Sequence, residues 1–100
     1  MLYITQLIFI KPGQEATFLE FEEKVLPLMA DYGGDLLYRL RPTPETFITA
    51  TGEEPYEIHF IAFPSEAHLA DYMQDDRRTA FVHLKEASIK SVLLVKGKPL

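Results

Sequence analysis

The chain has 100 residues, 47% hydrophobic, 12% aromatic and 25% charged, a composition that excludes disorder and suits one globular domain over residues 1–100. Acids outnumber bases 15 to 10, giving a formal charge of −5, which argues against nucleic acid as a partner. Cysteine is absent, which removes disulfides, thiolate metal sites and cysteine nucleophiles and points to the cytoplasm.

Residues 2–10 predict a strand with both alternating faces apolar, Tyr3, Leu7 and Phe9 on one and Leu2, Ile4, Ile8 and Ile10 on the other. The stretch is too short for a membrane span and lacks the basic start and small-residue end of a signal peptide. Pro12-Gly13 breaks it. Residues 14–32 predict a helix whose inner face carries Phe18, Phe21, Val25, Leu28 and Tyr32, with Glu15, Glu20, Glu22, Glu23 and Lys24 on the wet side. Pro27 inside that pattern predicts a loosened turn, and Gly33 suits a left-handed helix stop.

A second strand is expected over 35–41, continuing through 45–50 past Pro42 and Pro44, which imply an edge position or a bulge. After a turn at Thr51–Glu54, residues 56–63 read as a third strand paired with the second. Ser65 is placed to cap a helical region of two parts, the second capped by Asp75, and residues 89–96 form the last strand. The bases concentrate late, with 4 bases and 14 acids in residues 1–76 against 6 bases and one acid in residues 77–98. Arg77, Arg78 and Lys85 are expected on a solvated helix face.

The order is β-α-β-β-α-β, the ferredoxin-like α+β plan: a four-stranded antiparallel sheet with both helices on one side. Its open sheet face would still be apolar. A second copy of the chain, sheet against sheet, is the simplest cover, so a homodimer is expected.

Arg39, Glu57 and His59 are the leading site candidates. Arg39 lies among Leu36, Leu37, Tyr38 and Leu40 in a strand expected to be largely covered, so it needs an anion: a bound carboxylate or enolate, or else Glu57 or the dimer mate. His59 shares a strand face with Glu57, which is placed to orient it for proton exchange, and the alternative is a satisfied core or interface histidine. Tyr72 is the phenol best placed to reach a pocket. His68 and His83 have no second ligand at helical spacing, so no metal site and no cofactor are expected.

The chain resembles the dimeric α+β barrel superfamily over nearly its whole length, and within it the small bacterial family known as domain of unknown function 1330. The resemblance is carried by Tyr3-Ile4, Leu26-Pro27-Leu28, Tyr32-Gly33-Gly34, Leu37, Arg39, Phe63-Pro64-Ser65, Tyr72 and Leu93 to Gly97. Two places depart from that pattern: Ala62 stands where an acid is usual, and Gln74-Asp75-Asp76-Arg77 where a Ser-Pro-Glu-Tyr-like segment is usual. The superfamily holds cofactor-free monooxygenases, lactone isomerases, haem-degrading enzymes and plain ligand-binding modules. The resemblance implies a homodimeric barrel and no single activity; with Arg39 and His59 lining it, a small anionic organic molecule is the expected ligand, with proton transfer or cofactor-free oxidation as any chemistry. The alternative is a non-enzymatic ligand-binding or structural dimer.

Overall fold

The computed structural model covers residues 1–100 and holds one antiparallel sheet of four strands in the order β2-β3-β1-β4. The strands are β1 (Leu2–Ile10), β2 (Asp35–Leu40), β3 (Glu57–Phe63) and β4 (Ile89–Gly97). β1 is central because both its faces are apolar, and it pairs with β3 (Gln6↔His59, Ile8↔Glu57) and with β4 (Gln6↔Leu94, Ile8↔Val92). The helices are α1 (Glu15–Val25), α2 (Glu66–Gln74), α3 (Asp76–Thr79) and α4 (Val82–Ser88). This is the ferredoxin-like α+β fold read from the sequence.

Helix α1 ends at Val25, where Leu26–Tyr32 tighten into a 3₁₀ turn. Pro27 explains the change: it offers no N–H to an α-helical bond and crowds the preceding turn. Gly33 closes the turn at φ 70°, while the N–H of Gly34 donates to the Met29 carbonyl at 2.9 Å. Here the two short motifs meet. A Cβ on Gly33 would lie 2.8 Å from the Pro64 ring, and one on Gly34 would lie 2.6 Å from the Phe63 ring. The glycines let the end of the 3₁₀ turn rest directly on the end of β3.

The central core joins Leu2, Ile4, Met29, Ile61, Phe63 and Tyr72, with Leu26, Leu28, Leu36 and Leu69 packed around it. Fully burying each large apolar side chain contributes about 1.5–3 kcal/mol. Ser65 caps α2 by accepting from the His68 N–H at 3.3 Å, and Asp75 caps α3 by accepting from the Arg77 N–H at 2.7 Å.

Three expectations fail. Residues 45–50 do not extend β2; Pro44–Thr46 form a short 3₁₀ turn closed by Thr43 and Thr46, because prolines at 42 and 44 cannot donate to a ladder. The second helical region has three parts, since a turn at Ala80-Phe81 separates α3 from α4. β2 is largely exposed, not covered, because it is the sheet edge. It also carries a bulge: Leu36 pairs with Ile61 and Tyr38 with Phe60, so Leu37 is an extra residue.

The sheet face away from the helices is apolar. Tyr3 stacks on Phe60 at 5.6 Å and Tyr38 lies 6.1 Å from the same ring, while Tyr38, Leu40, Leu93 and Val95 are more than half exposed.

Candidate functional site

Strand alternation turns Glu57, His59, Ile61 and Phe63 toward the helices, and the bulge at Leu37 puts Arg39 opposite His59 on that same side. From above, α1 lowers Glu22 onto them. Glu22 was expected in solvent; it is 3% exposed. The helical period accounts for this, since Glu22 follows Phe18 by four residues and precedes Val25 by three, on the buried stripe.

The result is a compact ionic cluster. His59 Nε2 stands 2.8 Å from Glu57 Oε1 and 3.0 Å from Glu22 Oε2. Arg39 donates through Nε to Glu57 and through Nη2 to Glu22 Oε1 at 2.8 Å. Arg41, one more alternation along, donates to Glu57 Oε2 at 2.8 Å and lies 4.5 Å above the Tyr56 ring. The single Nε2–H can serve one carboxylate well. Its alignment favours Glu57 and leaves Glu22 Oε2 buried without a hydrogen bond.

These contacts drive the two carboxyl groups apart. Burial raises the Glu22 pKa, and proximity to His59 offsets this only in part. Burial would raise Glu57 too, but donors from His59, Arg39 and Arg41 outweigh it and hold that carboxyl well below the usual range. Burial would lower His59, yet both carboxylates together raise it above its ordinary value. An ionised acid, a protonatable acid and an imidazole thus share one buried point.

Glu22, Glu57 and His59 also place three potential metal-ligand atoms within 4.8 Å of one another. Their charge is already balanced, however. A divalent cation would join two guanidiniums against two carboxylates in a buried site, so this donor set suits a proton better than a metal.

Beside the cluster, between the helices and the strands β1 and β4, lies a cleft of about 390 Å³, within the range of small-molecule sites. His59 and Glu22 line it; Arg39 and Glu57 stand outside its lining. Val92 and Leu94 of β4 face the helix side and remain about two-fifths exposed, at 38% and 41%, so this edge of the core is open. Tyr72 forms another part of the wall, its phenol donating to the Val25 carbonyl at 3.2 Å. The structure thus brings Arg39, Glu57 and His59 together and holds Tyr72 apart from them, in the same cleft as His59. Arg39 already donates to two carboxylates, the internal alternative raised from the sequence.

His68 and His83 are exposed, with His68 Nδ1 2.7 Å from the Ser65 hydroxyl. The sequence reading missed Arg41, whose alternation with Arg39 was the available signal. Arg78 and Lys85 are not on a solvated face: both are half-buried and line the cleft.

No protein-family model and no curated protein matches the chain. Solved structures do. A protein of unknown function from Rhodopseudomonas palustris superposes with a TM-score of 0.82 at 16% identity, over 99% of this chain and 82% of that one. A nipsnap family protein of unknown function from Agrobacterium tumefaciens gives 0.72 at 21% identity, over 99% and 87%. A dabb family protein with a ferredoxin-like fold from Mesorhizobium loti gives 0.68 at 16% identity, over 99% and 96%. At such identities the likeness establishes the ferredoxin-like fold that this chain shares with them.

Proposed function

We propose that residues 1–100 act as a single homodimeric, cytoplasmic domain that binds a small organic molecule of anionic character in the cleft, where His59 exchanges a proton with it. The observation that carries this reading is a buried imidazole on the cleft wall, set between two carboxyl groups whose pKa values are pushed in opposite directions. Glu57, kept ionised by Arg39 and Arg41, accepts from Nε2–H and stabilises the imidazolium. Nδ1 makes no hydrogen bond within the chain and is the basic atom left for the ligand. Arg39 acts as a positioning residue through Glu22 and Glu57, and Tyr72 supplies wall. The reaction class is proton abstraction beside a carbonyl: a C–H proton moves to Nδ1, an enolate forms, and the proton returns. Oxidation of such an enolate without a cofactor is a further use of the same site, with dioxygen from solution as the co-substrate that takes up its electrons.

The absence of cysteine supports the cytoplasm, and no helix is long and apolar enough to cross a membrane. Kinship with domain of unknown function 1330 rests on Tyr32-Gly33-Gly34 and Phe63-Pro64-Ser65, which touch in the fold.

Benzoylacetone, an aromatic diketone with an acidic methylene, is a suitable probe. Its methylene protons should exchange in heavy water at about pD 8 with saturable acceleration, lost in His59→Gln. A rate equal to buffer for the wild type refutes proton transfer. Binding without exchange supports a second reading, a non-enzymatic ligand-binding module, which the internal pairing of the cluster favours: Arg39 and Arg41 already meet carboxylates of the chain.

A further inference from the structure

Of the four arginines, Arg39, Arg41 and Arg77 each meet a carboxylate within 3 Å. Arg78 meets none. Its Nε is buried and has no hydrogen-bond partner, and its guanidinium carbon lies 5.2 Å from the Tyr72 ring and 5.9 Å from the Phe21 ring. Two aromatic faces hold the group in place but supply no anion to balance its charge. Arg78 lines the cleft, as does Lys85, which carries no ion pair, while Lys96 at the same cleft is tied to Glu66 at 3.2 Å. Most of the remaining lining is apolar, 15 of its 21 residues.

We infer that Arg78 is the anion clamp of this cleft and that the ligand is an apolar molecule ending in a single carboxylate. A half-buried guanidinium held between two rings and meeting no carboxylate of its own matches one carboxylate, and the long apolar wall matches a hydrocarbon or aryl body. A dianionic phosphate would ask for more cations than one free arginine and one lysine in a chain of net charge −5. This inference rests on the cleft being a ligand site, and it moves the anion contact from Arg39, which already meets two carboxylates and stands outside the cleft lining, to Arg78.

The test compares octanoate with 1-octanol, a pair that differs in the charged end, by calorimetric titration of the wild type, Arg78→Gln and Arg78→Lys. Octanoate should bind the wild type about tenfold tighter than the alcohol or better. Arg78→Gln should erase that margin and leave the alcohol's affinity unchanged, and Arg78→Lys should keep part of it. Equal affinities in the wild type, or a margin that survives Arg78→Gln, overturn the clamp while leaving the cleft as a site. No binding of either compound removes the cleft reading and the clamp together. A carboxylate preference without diketone exchange removes only the proton chemistry at His59.

Discussion

At the scale of single residues, the cluster around His59 ties stability to pH. Glu22 and His59 have pKa values raised above their ordinary 4.5 and 6.5. Each therefore contributes stability that is complete below the ordinary value and is lost as pH climbs through the raised one. Glu57 runs the other way: its contribution is present above 4.5 and is lost as pH falls through its depressed value. Stability should thus decline above 4.5 as Glu22 ionises, decline further beyond 6.5 as His59 loses its positive charge beside Glu22 and Glu57, and fall again in strong acid as Glu57 protonates. Urea unfolding across a pH series would measure this, and His59→Gln should flatten the alkaline limb. An alkaline limb unchanged in that variant would assign the effect to other groups. Arg39, Glu57 and His59 were legible as a meeting point because strand alternation is local and strict. Glu22 was not, because a carboxylate on a helix reads as solvated until the four-residue step from Phe18 is weighed against its charge.

At the scale of elements, the contact between the 3₁₀ turn and the end of β3 fixes how the helical layer sits on the sheet. Gly34→Ala would drive a methyl group into the Phe63 ring, which is itself 1% exposed and has little room to yield. The expected loss is about 1–3 kcal/mol, read as a lower urea midpoint at constant slope. Gly13→Ala makes the comparison useful, because its Cβ would meet nothing within 4 Å and its cost comes from φ 80° alone. Helix stops and caps at Gly33, Ser65 and Asp75 were readable since each is a local rule. The run from 45 to 50 misled because Phe47, Ile48 and Thr49 favour strand, whereas the chain had already lost its pairing partner at the prolines.

At the scale of the whole molecule, the open sheet face requires a cover. A second copy set on Tyr38, Phe60, Leu93 and Val95 would bury the stacked aromatics and the half-exposed aliphatics of β4. The wild type should therefore run as a dimer in sedimentation at micromolar concentration. Val95→Arg, which puts a charge on that face and touches neither the cleft nor the His59 cluster, should yield a folded monomer. A wild-type monomer would sink the proposed assembly. The bulge at Leu37 decides which side chains this face carries. It shifts every later residue of β2 by one, so Tyr38 and Leu40 face outward, Arg39 faces the helices, and Arg41 reaches Glu57 on that same side. Were Leu37 paired with Phe60 in a regular ladder, with no extra residue, inside and outside would be exchanged along the rest of the strand. Two hydrophobic side chains would then be set against paired carboxylates, and two guanidiniums would be turned onto the open apolar face. A descendant of this gene could therefore lose codon 37 together with the bulge and keep every later side chain of the strand on its present face.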